Sequence, residues 1–140
     1  MTGSDTSHRG DRTMNASLAM KSYHHVHAAG SVTDATPHRL IQMLMQETIN
    51  CLKKAEGFLE HGNIPGRTHN INRAVEMISY LRDCLNINEG GEIAANLDKL
   101  YGYMLRRLFE ANSYQDKVAL EEVSSLMATV KEGWDGIGNP

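Results

Sequence analysis

The most informative segment of this chain is residues 89–112, EGGEIAANLDKLYGYMLRRLFEAN. Gly90 and Gly91 can adopt positive φ angles, so they are expected to end one helix and start another. At 100° per residue, the apolar side chains of the second helix span about 140°, whereas an ordinary core-facing stripe spans about 100°. The surplus predicts contact with two neighbouring helices, or with one neighbour and a partner. The apolar side chains are Ile93, Ala94, Leu97, Leu100, Tyr101, Met104, Leu105 and Leu108.

Three other segments repeat their apolar residues with the period of a helix. Thr36 is a good N-cap and Pro37 suits the first helical position, so a helix is predicted from there to about residue 60. Another is predicted from residue 64 or 68 to about residue 86, and a last one over about 115–134. The first two also have apolar arcs of about 180°, which is wider than one core contact requires.

Four helices with short links predict an all-α protein, an antiparallel up-and-down four-helix bundle with a flexible N-terminal arm. The arm carries two apolar anchors, Tyr23 and Val26, in an otherwise mixed segment. The predicted divisions are a disordered N-terminal segment (1–21), the arm (22–35), the bundle (36–135) and a frayed tail (136–140).

Composition excludes several classes of protein. The net charge of −3 speaks against general nucleic-acid binding, which needs a basic surface. No apolar run approaches the ~18 residues that span a bilayer, and the polar N-terminus does not resemble a signal peptide. Cys51 and Cys84 are expected to be reduced thiols. We therefore expect a cytoplasmic protein without membrane insertion.

The sequence shows no catalytic constellation. Phosphate-binding and nucleophile motifs are missing, and neighbouring acids such as Glu121 and Glu122 point in different directions on a helix. Three imidazoles, His24, His25 and His27, could bind a divalent ion weakly, but no carboxylate or cysteine stands at a supporting spacing. Neither an enzyme nor a physiological metal site is expected.

Three segments carry a resemblance to a known family: residues 36–44 (TPHRLIQML), residues 90–112, and residues 119–123 (ALEEV) with Trp134 closing the last helix. Over about residues 23–134 the chain resembles the flagellin-specific export chaperones of bacterial flagella, FliS. It departs from the family pattern at Met45, Gln46 and Glu47, where an aromatic residue, an acid and a glycine are usual.

The resemblance implies a cytoplasmic protein that is not an enzyme and needs no cofactor. Such chaperones bind the C-terminal segment of flagellin, prevent its premature polymerisation and deliver it to the export gate of the flagellar type III secretion apparatus. The wide apolar arcs suit this role, because an amphipathic segment can lay its apolar face in a groove.

The expected flagellin-binding groove consists of apolar residues on the first three helices. A helical wheel does not show which of them face the core. The expected groove residues are Ile41, Met45, Ile49, Ile78, Leu97, Tyr101, Leu105 and Leu108. In the free chaperone, Tyr23 and Val26 are expected to shield this groove. The alternative is that Tyr23 packs permanently against the first helix.

Two readings from other classes remain open. The first is a self-associating helical bundle, a structural or interaction protein whose extra apolar girth is a homodimer interface. The second is a small metal-binding protein that uses the histidines of residues 24–27.

Overall fold

The computed structural model describes residues 36–137. Its elements are α1 (Pro37–Glu60), α2 (Ile64–Asp83), α3 (Ile87–Tyr114) and α4 (Lys117–Gly136). Consecutive helices pack together across links of two or three residues, and α1 also packs against α4. Residues 36–137 contain no strand. The predicted all-α, up-and-down four-helix bundle is confirmed.

A polar side chain caps the start of every helix, because the first backbone N–H groups have no partner inside the helix. The caps are Thr36, which accepts from the Arg39 N–H at 3.1 Å, Asn63 (Gly66, 2.9 Å), Asn86 (Glu89, 3.2 Å) and Asp116 (Ala119, 3.2 Å). The last two explain why the boundaries differ from the prediction. Asn86 starts α3 instead of ending α2, and α4 begins two residues later than predicted.

The two glycines near the start of α3 lie at a kink where two helical stretches meet, so the predicted end of one helix and start of another falls inside α3. Gly91 has φ 58° and ψ −133°, a conformation essentially limited to glycine. At Gly90 an added Cβ would lie 2.7 Å from the Cβ of Ala94, so a side chain there would also be crowded. The predicted separation therefore lies one turn inside α3.

The core is formed by apolar side chains from all four helices. Its largest fully buried members are Leu44, Leu52, Ile71, Ile78, Met104, Leu108, Leu120, Val123 and Met127. At the link between α1 and α2 the packing is close: a Cβ added to Gly66 would lie 2.8 Å from the ring of Phe58. Glycine at that position allows the two helices to approach each other.

Polar contacts tie neighbouring helices together outside this core. Arg82 of α2 donates from Nε to Asp98 of α3 at 2.8 Å, which joins their sides. At the opposite end of α2, Arg67 is buried and donates from Nε to the Asn112 side chain at 3.3 Å. The pairing partly satisfies a guanidinium that would otherwise lose its hydration without compensation.

Candidate functional site

An apolar groove of about 710 Å³ opens at one end of the bundle. In an up-and-down bundle, the N-terminal ends of α1 and α3 lie beside the C-terminal ends of α2 and α4. All four helices contribute residues to the groove. The lining consists of Pro37, Leu40, Ile41, Leu44, Met45, Tyr80, Leu81, Cys84, Leu85, Ile93, Leu97, Tyr101, Thr129, Val130, Gly133, Trp134 and Ile137. None of these residues carries a formal charge at neutral pH.

The rim of the groove leaves large apolar side chains in contact with solvent. Ile93, two residues after the kink in α3, is 75% exposed, and Ile137 beyond the end of α4 is 69% exposed. Single exposed apolar residues are ordinary on a protein surface, but here they border a concave apolar surface. That arrangement is typical of a site that another apolar segment covers.

Four of the eight predicted groove residues lie together in this groove. Met45 and Tyr101, each 2% exposed, belong to the core and also form the floor of the groove. Ile41 and Leu97 are partly buried and form its walls. The prediction brought together residues from α1 and α3 that the fold does place side by side.

The other four predicted residues do not line the groove. Ile78 and Leu108 are fully buried, whereas Ile49 and Leu105 pack partly buried against the core outside it. A wide apolar arc includes side chains that face the bundle axis or an adjacent helix. Contact of these four residues with flagellin stays a prediction. The arm residues Tyr23 and Val26 lie outside the described residues.

Several lining residues were not among those expected. They are Pro37, Leu40, Leu44, Tyr80, Leu81, Cys84, Leu85, Ile93, Thr129, Val130, Gly133, Trp134 and Ile137. The available signal was topological: in an antiparallel bundle, the N-terminal turns of the first and third helices meet the C-terminal turns of the second and fourth. Helical wheels, taken one helix at a time, do not contain that information.

The ionisable groups in the groove favour their neutral forms. Burial raises the pKa of Tyr101 to about 12, with a smaller contribution from the nearby Cys84. Loss of hydration likewise raises the pKa of the Cys84 thiol. The groove is therefore uncharged at neutral pH, so it can recognise a partner by burial of apolar surface and not by ion pairing.

The described residues hold neither a metal-binding cluster nor a membrane span. Within residues 36–137, no three His, Cys, Asp or Glu side chains are grouped so as to hold a metal ion. The same part of the chain contains no helix with the length and apolarity required to cross a membrane. The histidines at positions 24, 25 and 27 lie outside the described residues.

The fold and the groove define a helical-bundle protein with an open apolar groove at one end. The sequence profile of the family Flagellar protein FliS matches residues 19–140 of the chain. This chain belongs to the FliS family.

Named relatives support that assignment along most of their length. The chain is 48% identical over 126 residues to the flagellar secretion chaperone FliSB of Pseudomonas aeruginosa, which covers 90% of this chain and 100% of the relative. It is 38% identical to the flagellar secretion chaperone FliS of Salmonella typhimurium, over 89% of this chain and 93% of the relative. For the protein of the same name in Vibrio cholerae the identity is 34%, over 85% and 88%. The family is one of chaperones, which is not a class of enzyme.

Proposed function

We propose that this protein is a cytoplasmic export chaperone that binds the C-terminal segment of flagellin in the apolar groove. Binding there prevents premature polymerisation, and the complex is delivered to the flagellar export gate. The observation that carries the proposal is the open, uncharged groove in a member of a family of flagellar secretion chaperones.

The size of the groove suits anchoring side chains of a longer segment. Its volume of about 710 Å³ lies within the range of about 300–1,000 Å³ that is found for ligand pockets. A groove of this size is too small to enclose a whole helix. A client helix would therefore place its apolar face on the groove and leave its polar face in water. Ordering a disordered client opposes binding by about 2–5 kcal/mol, so a broad apolar contact is needed to offset it.

A pair of matched variants tests the location of the site. Leu97→Asp puts a carboxylate into the groove wall, and we expect it to weaken binding of a flagellin C-terminal fragment at least about tenfold. Val118→Asp changes an apolar residue that is 66% exposed near the start of α4, at the other end of the bundle from the groove, so its affinity should match the wild type. Isothermal titration calorimetry measures both, with circular dichroism as the check on folding. Equal affinities for Leu97→Asp and the wild type would contradict the proposed site.

We also propose that the N-terminal arm, residues 22–35, shields the groove in the free protein through Tyr23 and Val26. In support, α1 begins at the groove and its first residue, Pro37, lines it, so the preceding chain enters at this end. Deleting residues 1–26 should raise the affinity for the fragment. In the full chain, hydrogen exchange over residues 22–35 should accelerate when the fragment binds. Unchanged affinity together with unchanged exchange would rule out shielding.

A homodimer of the free protein is the competing use of the same surface. If the groove is a dimer interface, light scattering will show dimers that dissociate as the flagellin fragment is added. If the groove is free for a client, the fragment will titrate one-to-one with a monomer. A dimer that persists at saturating fragment would place the dimer interface elsewhere.

A further inference from the structure

Trp134 holds a defined position at the edge of the groove. It is the one tryptophan of the chain, it is partly buried, and it is one of the residues that line the groove. The indole Nε1–H donates to the backbone carbonyl of His38 at 3.0 Å. The imidazole of His38 stacks on the indole with 4.7 Å between ring centroids and 12° between the planes. Two contacts with the first turn of α1 therefore fix this side chain of α4.

The imidazole of His38 contacts the indole by ring stacking and not by a hydrogen bond from a ring nitrogen. Its Nε2 is buried and has no hydrogen-bond partner within residues 36–137, while its backbone carbonyl accepts from the indole. A side chain with a flat ring and no ring nitrogen could therefore support the same stack. Neither contact uses groove surface, because His38 is not among the lining residues.

We propose that Trp134 contacts the apolar segment held in the groove and that His38 is the positioning residue that fixes the indole for that contact. This proposal deepens the proposed function and rests on it. Tryptophan is enriched among residues that dominate binding energy, and a side chain held in place before binding loses less conformational entropy. The client recognised here would present an aliphatic or aromatic side chain to the indole.

A purely structural role for this cluster makes a different prediction. The last turns of α4 are also tied to α1 by Gln42, which donates from Nε2 to Asp135 at 2.7 Å, and Lys131 pairs with the same carboxylate at 2.8 Å. Gln42, Lys131 and Asp135 do not line the groove. Gln42→Ala therefore loosens the same helix end without altering the indole stack, which makes it the matched control.

The experiment uses the full chain and a flagellin C-terminal fragment, with affinity from calorimetry and the environment of the single tryptophan from fluorescence. In the wild type, the fragment should shift the emission to shorter wavelength and reduce quenching by acrylamide. His38→Ala should weaken binding roughly tenfold, while His38→Phe and Gln42→Ala should stay within about twofold of the wild type. Thermal unfolding of each variant reports on folding.

Three results would overturn the proposal. One is saturation of the wild type with no change in emission or quenching, a measurement that needs no variant. Another is His38→Phe binding as weakly as His38→Ala. The third is Gln42→Ala losing as much affinity as His38→Ala, which would assign the cluster to helix docking alone. If the wild type does not bind the fragment at all, the proposed function fails and this proposal fails with it.

Discussion

Tyr101 belongs to the core and to the groove at the same time. Its ring is 2% exposed, yet it forms part of the groove floor. Burial removes water from the ionised form, which raises the pKa of Tyr101 to about 12. The pKa of this phenol in the unfolded chain is about 10. The stability of the fold therefore depends on the ionisation of Tyr101 between about pH 10 and pH 12.

The sign of the linkage gives a prediction for alkaline pH. Between about pH 10 and 12 the folded protein retains the phenolic proton that the unfolded chain loses, so the free energy of unfolding should fall as the pH rises. The contribution of Tyr101 is fully present below pH ~10 and amounts to about 2–3 kcal/mol. Urea denaturation from pH 9 to 12 measures it.

The control for this prediction is Tyr101→Phe, which keeps the ring but has no proton to lose. It should show a shallower decline of stability over the same interval. The remaining decline belongs to other groups, such as the buried thiol of Cys51, whose pKa burial also raises. Equal slopes for both proteins would show that Tyr101 does not carry the effect.

Side-chain identity alone could not separate core residues from groove residues. Ile78 and Leu97 are both aliphatic members of a wide apolar arc, but one is fully buried and the other lines the groove. The difference depends on where each helix stands relative to its neighbours. The sequence correctly predicted which residues form the apolar arcs. Which part of each arc faces the core and which part lines the groove is determined by the packing of the four helices.

Among the elements, α3 shows most clearly how local sequence sets local structure. The Asn86 cap starts the helix, and Gly91 diverts it one turn later through a φ of 58°. The long, periodic segments and their order could be predicted because apolar spacing and caps are local signals. The interruption of α3 could be predicted as well, because Gly90 and Gly91 are a local signal of the same kind.

Gly91→Ala tests whether the diverted turn depends on glycine. We expect a loss of about 1–3 kcal/mol in the free energy of unfolding, because a Cβ disfavours that backbone conformation. Gly57→Ala is the matched control: it lies inside α1 with no atom within 4 Å of the added Cβ, so it should gain about 0.5–1 kcal/mol. Urea denaturation compares the two. A neutral or stabilising Gly91→Ala would mean that the chain readily straightens there.

At the scale of the bundle, residues 36–137, the groove is free of the charges that join the flanks of the helices. Ion pairs join the flanks of the helices, as between Arg82 and Asp98 or between Arg107 and Glu122 at 2.6 Å, whereas the groove lining is uncharged. The pairs are partly exposed, so each adds little stability. We therefore expect recognition in the groove to be separable from the electrostatics of the helix flanks.

This separation predicts that client binding resists salt. Raising NaCl from about 0.05 M to about 0.5 M shortens the Debye length from above ~10 Å to below it. Over this range, the affinity for the flagellin fragment should change less than about threefold. Apolar burial does not depend on charge screening, whereas ion pairing does. Calorimetric titration at both salt concentrations measures it. A steep loss of affinity would show that charged residues outside the groove dominate the contact.

The two- and three-residue links between the helices also bear on how fast the chain folds. Each helix packs against its successor in sequence, and the main pairing of helices distant in sequence is that of α1 with α4. Helical bundles with such local contacts typically fold within microseconds to milliseconds, whereas a ribosome adds about 5–20 residues per second. The interval between translation and a working binding surface should therefore be set by synthesis of the chain and not by its folding.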